Sequence, residues 1–298
     1  MTARTQSAGS GRRAALLLLA LAPLAACAPR RPEVALFSAA AFEPVMHALR
    51  PAAEAALGVR ILAETGGSGN LVRRVVELGR ACDLLVLADP ALFRQAGGGR
   101  FTWRITFAGD EMVLGVGVRA PRADDAERDW AAVLDGPGVR LVRADEAISP
   151  AGARTLVVWS RREAAGAPGL RERLLHRTAG VADDVGTVAA QLKTGTADYA
   201  FLYRSSCLLH ELRHIRLEPP CRLADDAERP DPEAIRYALS IPRDAPRPRE
   251  AEALLRFFLD ARRDLWADSG FIPLRPRFFG SRDDYERFRA IADYGGPF

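Results

Sequence analysis

The sequence lacks several features that would place it in a common class of protein. It has 4 cysteines in 298 residues, with no CxxC pair and no cysteine–histidine cluster at zinc spacing. Residues 1–26 hold three of the 42 basic residues and no acid, which leaves 39 basic against 38 acidic residues beyond them. Nucleic-acid binding needs a clustered basic excess, so composition argues against it. The apolar run at residues 14–21 is too short to cross a bilayer as a helix.

Residues 1–27 have the organisation of a secretory signal peptide. Arg12 and Arg13 precede the apolar run, and small residues follow it. The segment LAAC at residues 24–27 resembles the lipobox of bacterial lipoproteins, in which the cysteine carries the lipid. We therefore predict lipidation of Cys27 and a membrane-anchored protein outside the cytoplasm, in the periplasm or at the cell surface. The alternative is an ordinary signal peptide that happens to end in cysteine.

Short apolar runs alternate with segments of helical composition through most of the chain. The predicted strands are residues 34–37, 59–63, 84–88, 111–118, 139–142, 199–202 and 235–241. Predicted helices cover residues 41–57, 71–78, 185–193 and 251–266, and another runs through residues 156–159. Such alternation is typical of βαβ units and parallel sheets. We predict an α/β fold of two lobes with a ligand cleft between them.

The two sets of strands and helices suggest the lobe boundaries. The first lobe is predicted to comprise residues 33–114 and 237–298, including a C-terminal tail, and the second lobe residues 115–236. Residues 113–118 and 236–239 would then be the hinge strands that allow the lobes to close on a ligand.

Three turns place a small hydroxyl side chain where a helix begins. Ser38 follows the first predicted strand, and Ser68 and Gly69 follow the second. Ser149 precedes Pro150 at the start of a helix in the second lobe. The first amides of a helix have no partner within it, and the helix dipole favours an anion there. Capping explains any one of these turns, but three turns from both lobes predict an anion site.

The same segments resemble the periplasmic molybdate- and tungstate-binding proteins of ABC importers, which are type II solute-binding proteins. The resemblance covers most of residues 33–276 and rests on the order and spacing of residues 64–79, 82–89, 110–114, 149–156, 194–205, 237–243 and 271–273. It implies a type II periplasmic-binding-protein fold that closes on a tetrahedral oxyanion held by serine hydroxyls, backbone amides and a tyrosine. By this resemblance, Ser68 and Tyr203 hold the anion.

The chain departs from this family at three positions. Ala41 stands where the resemblance implies a serine in the first turn, which leaves Ser38 as the nearby hydroxyl. Ser149 and Leu202 stand where the most similar branch has two carboxylates that extend the metal's coordination towards six ligands. Neither side chain supplies an anionic oxygen, so we predict an uncharged, hydrogen-bonding pocket for a tetrahedral oxyanion.

Two arginines lie in the matching segments. Arg154 and Arg204 either pair with the anion or form structural ion pairs behind the site. The predicted ligand-binding residues, with no metal and no cofactor, are Ser38, Ser68, Gly69, Ser149, Tyr203 and Arg204.

His210, Glu211 and His214 form a literal HExxH, the signature of zinc proteases. That chemistry needs both histidines on one face of a helix and a third ligand. The residues after His214 instead predict a short strand and a stop, and Leu217 stands where the extended motif has glycine. A zinc metalloprotease is therefore kept only as a less favoured alternative.

The cysteines after residue 27 have two different interpretations. Cys207 and Cys221 would close a short disulfide-bonded loop in an exported chain. Cys82 precedes an apolar run and is predicted to be a small buried hydrophobic residue.

The sequence as a whole predicts a monomeric extracytoplasmic lipoprotein that binds a solute and is not an enzyme. It would capture an oxyanion of the molybdate or tungstate type and deliver it to the inner-membrane permease of an ABC importer. Sulfate suits the same donors, whereas a phosphate that keeps a proton needs a carboxylate acceptor, and the matched positions offer none. The alternative is a diverged binding module for another anion that senses or scaffolds.

Overall fold

Two mixed β-sheets organise the fold. The computed structural model describes residues 31–96, 99–218, 235–260 and 263–298, and Glu33–Phe298 forms one compact unit. The predicted lipidation site Cys27 lies outside the described residues, as does Cys221. Within the described ranges, no helix combines the length and the apolar character needed to cross a membrane.

Strands and helices alternate along most of the described chain. The strands are β1 (Glu33–Ala39), β2 (Arg60–Gly66), β3 (Leu84–Leu87), β4 (Arg104–Gly109), β5 (Met112–Val116), β6 (Leu141–Ala144), β7 (Thr178–Ala182), β8 (Tyr199–Tyr203), β9 (Arg213–Arg216), β10 (Arg236–Ser240), β11 (Ile272–Phe279) and β12 (Asp293–Gly296). The helices are α1 (Glu43–Leu57), α2 (Ser68–Val76), α3 (Ala91–Gln95), α4 (Ala123–Leu134), α5 (Pro150–Ala164), α6 (Leu170–Arg177), α7 (Val185–Thr194), α8 (Arg204–Leu209), α9 (Pro248–Asp260), α10 (Arg263–Asp268) and α11 (Arg282–Glu286). A 3-10 helix (Ala40–Phe42) joins β1 to α1.

The first sheet has seven strands in the order β12-β11-β4-β10-β3-β1-β2. Strands β1, β2 and β3 are parallel, and β10 runs antiparallel between β3 and β4. In β3, Leu84 and Val86 join one apolar cluster, whereas Leu85 and Leu87 join a second cluster on the opposite face. A strand covered on both faces has no need of polar residues, which explains the uninterrupted apolar run.

The second sheet has five strands in the order β7-β6-β8-β5-β9. Strands β6, β7 and β8 are parallel, and β5 is antiparallel to both of its neighbours. Helix α5 packs on this sheet, with the Trp159 ring edge-on to Phe201 at 6.1 Å between centroids. We call the parts built on the seven-stranded and five-stranded sheets the first lobe and the second lobe. The predicted two-lobed α/β fold is confirmed.

The chain passes from the first lobe to the second at Asp110 and Glu111, between β4 and β5. Strand β5 pairs along its length with β8 and β9, so it lies within the second sheet. The change of sheet therefore comes a few residues before the boundary predicted at 114, because residues 112–116 are a central strand of the second lobe. The return to the first lobe lies between β9 and β10.

A buried carboxyl group joins the elements at this crossover. Asp110 accepts hydrogen bonds from the Glu111 amide at 2.8 Å, from the Ser205 hydroxyl and from the Tyr237 hydroxyl at 3.3 Å. It is 0% exposed, and burial raises the pKa of this carboxyl to about 7 despite these donors. The network connects β4, the start of α8 and β10.

Candidate functional site

A small cavity lies between the two lobes, where three strands of each sheet end. In the first lobe its walls are the turns after β1, β2 and β3; in the second they are the turns after β6 and β7 and the last residue of β8. The cavity has a volume of about 10 Å³, which is close to the minimum that holds one water molecule. The carboxyl ends of parallel strands are where α/β folds place their ligands.

Helix N-termini converge on this cavity from both lobes. From the first lobe come the 3-10 turn at Ala40 and the start of α2 at Ser68. From the second lobe come the start of α5 at Pro150 and the start of α7 at Val185. Each N-terminus contributes partial positive charge and amide donors, so together they favour a bound anion.

The Ser68 hydroxyl is set up as a hydrogen-bond donor. Ser68 is 1% exposed and lines the cavity, and its oxygen accepts a hydrogen bond from the Ala88 amide at 3.1 Å. Within the described residues, no acceptor takes the proton of this hydroxyl. A ligand oxygen in the cavity can therefore receive it.

Tyr203 lines the cavity from the second lobe. Its hydroxyl oxygen accepts a hydrogen bond from Nη1 of Arg154 at 3.0 Å, and both side chains are buried. Burial raises the pKa of Tyr203 to about 12, although the neighbouring guanidinium of Arg154 acts in the opposite direction. The tyrosine is thus neutral at physiological pH and keeps a proton to donate.

Ser149 completes the set of hydroxyls that line the cavity. It is the N-cap residue of α5 and is 5% exposed, yet its side chain makes no capping hydrogen bond. Its amide donates to the Asp145 carbonyl at 2.8 Å, which holds the turn in place. The structure thus brings together Ser68, Ser149 and Tyr203, as the sequence predicts.

Asp184 is the one carboxylate among the residues that line the cavity, so the lining differs from the uncharged pocket that the sequence predicts. It caps α7, and its Oδ1 accepts a hydrogen bond from the Thr187 amide at 2.9 Å. The sequence shows Asp184 as a helix start, but it gives no sign that this start faces the first lobe. Its position after β7 gives no usable signal, because the residues of β7 have little apolar character.

The two lobes meet through backbone atoms beside the cavity. The Gly69 amide of the first lobe donates to the Ile148 carbonyl of the second lobe at 3.0 Å. A Cβ atom on Gly67 would lie 2.8 Å from the Asp183 carbonyl oxygen and 3.0 Å from that of Ile148. Gly69, predicted as a ligand donor, thus uses its amide for contact between the lobes, and the two glycines permit this close approach.

Three other positions singled out in the sequence lie away from the cavity lining. Ser38 is fully buried in β1, and its hydroxyl has no partner among the described residues. Arg204 directs Nη1 to the Gly270 carbonyl at 3.4 Å and Nε to Glu111 at 3.7 Å, so it forms a structural ion pair. Leu202 is fully buried in β8, opposite Val113.

The HExxH segment does not form a zinc-protease site. His210 follows the last residue of α8, Glu211 has a φ of 55°, and His214 lies in β9, so one helix does not carry both histidines. No group of three or more potential metal ligands occurs in the described ranges. The zinc-metalloprotease alternative is therefore wrong, because the chain turns between the two histidines.

The cysteines within the described residues are free thiols. Cys207 is buried, and the Cys221 with which a disulfide was considered lies outside the described residues. Cys82 is also buried, as predicted, and burial raises the pKa of its thiol to about 12.

Comparison with known proteins agrees with this architecture. A family model described as bacterial extracellular solute-binding protein matches residues 34–272. An uncharacterized solute-binding protein of Petrotoga mobilis is 28% identical over 227 residues, which are 68% of this chain and 71% of the relative. A putative ABC transporter molybdenum-binding protein of Haloferax volcanii is 29% identical over 211 residues, which are 69% of this chain and 67% of the relative.

A solved structure shares the fold. The periplasmic molybdate-binding protein of Azotobacter vinelandii superposes with a TM-score of 0.64 at 18% identity, and the match covers 80% of this chain and 98% of that protein. The expected type II periplasmic-binding-protein fold is confirmed.

Proposed function

Because the chain belongs to the family of bacterial extracellular solute-binding proteins, we propose that it captures a tetrahedral oxyanion of the molybdate or tungstate type for an ABC importer. One observation carries the proposal. Several helix N-termini meet at one cavity between two lobes, together with the hydroxyls of Ser68 and Tyr203, whose oxygens already accept hydrogen bonds from the protein. Such a site favours a compact anion whose oxygens all accept hydrogen bonds.

The donors also indicate the protonation state of the ligand. The hydroxyls of Ser68 and Tyr203 already accept hydrogen bonds from the protein, so each has only its proton to offer. The carboxylate of Asp184 is held as a helix cap. A fully deprotonated dianion such as molybdate, tungstate or sulfate matches these two donors. A phosphate that keeps a proton needs an acceptor, and Oδ2 of Asp184 and the Ser149 hydroxyl are the lining groups that could supply one.

The missing carboxylates support four-coordinate binding. Ser149 lies at the cavity wall and can offer a hydroxyl, and Leu202 is buried away from the cavity. Neither supplies an anionic oxygen to the metal of a bound oxyanion. We therefore propose that the anion binds as a tetrahedron, through hydrogen bonds alone.

The remaining parts of the proposal concern location and partners. The family is extracellular, which supports action outside the cytoplasm. We propose that Cys27 anchors a monomer to the membrane by a lipid, that an inner-membrane ABC permease receives the anion, and that the protein binds without catalysing a reaction.

Calorimetric titration tests this function. The protein without residues 1–27, which retains the whole unit Glu33–Phe298, is titrated separately with molybdate, tungstate, sulfate and phosphate. We expect tight binding of molybdate and tungstate and weaker binding of sulfate and phosphate. Binding of none of the four would refute the proposal, and phosphate as the preferred anion would refute the assignment of the donors.

A further inference from the structure

Arg154 is a buried cation that lies beside the cavity without lining it. It projects from α5 of the second lobe, and 6% of its surface is exposed. Its Nη1 donates to the Tyr203 hydroxyl at 3.0 Å, and its Nη2 lies 3.8 Å from Oδ2 of Asp89. These two contacts therefore join Arg154 to both lobes.

The bond to Arg154 decides what the Tyr203 hydroxyl can do. A phenol both donates and accepts, but a guanidinium only donates, so the tyrosine oxygen must act as the acceptor in this pair. The tyrosine proton is then left for a group on the other side, where the cavity lies. Without Arg154, the same hydroxyl would be free to rotate and to accept.

The contact with Asp89 ties this arrangement to the approach of the lobes. Asp89 follows β3, and its Oδ1 accepts a hydrogen bond from the Ala91 amide at 2.8 Å, which fixes the carboxylate at the edge of the first lobe. If the lobes separated, Arg154 would lose this partner, and water would have to take the place of the carboxylate.

We propose that Arg154 is a positioning residue that orients the Tyr203 hydroxyl towards the ligand, and that its contact with Asp89 couples this arrangement to the approach of the lobes. The inference rests on the proposed function, because it assigns the coupling between ligand contact and closure at that same site. In this proposal Arg154 does not contact the anion itself and acts on it through Tyr203.

A double-mutant cycle with molybdate as the probe tests this coupling. The variants are Tyr203→Phe, Arg154→Met, the double variant Tyr203→Phe/Arg154→Met, and Asp89→Asn. We expect each single change to raise the dissociation constant by roughly tenfold or more, in line with loss of a charge-assisted hydrogen bond. In the Tyr203→Phe background, Arg154→Met should add less than about threefold, because the arginine has lost the group through which it acts.

The matched control is Arg162→Met. Arg162 lies on the same helix and pairs with Asp129 at 3.5 Å, away from the cavity. We expect this variant to bind molybdate within about twofold of the wild type. Arg154→Lys should restore the charge opposite Asp89 but only part of the affinity, because an ammonium lacks the planar fork that reaches both partners.

Two results would overturn the inference. One is full additivity of Tyr203→Phe and Arg154→Met, which would mean that Arg154 acts independently of the tyrosine. The other is wild-type affinity in Asp89→Asn. Because the Asp89 side chain is one-third exposed, this variant is expected to fold even if Arg154→Met does not.

A measurement without ligand separates this inference from the proposed function. If the wild type binds none of the anions, the proposed function fails, and small-angle X-ray scattering of the ligand-free protein decides the inference. A larger radius of gyration in Asp89→Asn than in the wild type and Arg162→Met supports a contact that draws the lobes together. An unchanged radius overturns it.

Discussion

Substitution of Gly67 by alanine should weaken ligand binding without damaging either lobe. The backbone of Gly67 has φ −62° and ψ 135°, which alanine adopts without strain. The new Cβ would instead meet the carbonyl oxygens of Asp183 at 2.8 Å and Ile148 at 3.0 Å, both in the opposite lobe. Because these neighbours are backbone atoms, they cannot turn aside as a flexible side chain can.

The size of the effect follows from the cost of overpacking. Extra methyl groups in well-packed interfaces cost about 1–3 kcal/mol. The protein can avoid this cost by keeping the lobes slightly apart, so the penalty falls on any state in which they approach as closely as in this structure. That range corresponds to a dissociation constant about 5-fold to 150-fold higher. The free energy of unfolding should change little, because the open form has room for the methyl group.

Titration calorimetry with molybdate and thermal unfolding measure the two quantities. Gly180→Ala is the control, because its Cβ in β7 would meet Val142 Cγ1 at an ordinary 3.6 Å. We expect weakened binding only in Gly67→Ala, with both variants unfolding near the wild-type temperature. Wild-type affinity in Gly67→Ala would show that the lobes do not approach this closely around the ligand, and the reasoning would fail.

Three further predictions concern other groups. Ser68→Ala should weaken molybdate binding by about 1–3 kcal/mol, because it removes one donor, and unchanged affinity in calorimetry would exclude Ser68 from the site. Between about pH 4 and pH 7 the folded protein holds the Asp110 proton more tightly than the unfolded chain does, so the free energy of unfolding should fall as pH rises, by up to about 1.4 kcal/mol per pH unit. Asp110→Asn should flatten that slope in urea titrations, and an identical slope would contradict the assignment. Cys82 and Cys207 should react with a thiol reagent only on unfolding, since both are buried with raised thiol pKa values. The test uses the protein without residues 1–27 and with Cys207→Ser and Cys221→Ser, which leaves Cys82 as its one cysteine, and rapid reaction of this native variant would place Cys82 nearer the surface.

Much of the fold could be predicted because the buried strands are continuous apolar runs. Residues 84–88 and 199–202 stand out for this reason and correspond to β3 and β8. The sequence does not predict β7, because this edge strand alternates in exposure and gives little apolar signal. Its residues, TAGVA, are mostly small. The sheet to which β5 belongs also could not be predicted, since pairing partners far along the chain decide it.

Site residues could be predicted where a single turn supplies the hydroxyl group. They could not be predicted where a residue's role depends on a contact with the other lobe or with a distant segment. Ser68 and Ser149 stand at helix starts and could be found from local sequence. The use of the Gly69 amide depends on Ile148, which is remote in sequence and belongs to the other lobe. Likewise, Arg204 lies next to Tyr203, but its partners Glu111 and Gly270 draw it away from the cavity.

The position of β10 also sets the order in which the molecule can be completed. The second sheet comes from one continuous stretch, residues 112–216, whereas the first sheet needs Arg236–Ser240 between β3 and β4. A chain that emerges from its N-terminus can therefore assemble the second lobe while residues 33–109 still wait for their central strand. The first sheet, which also includes β11 and β12, can therefore be completed only when nearly the whole chain has been made.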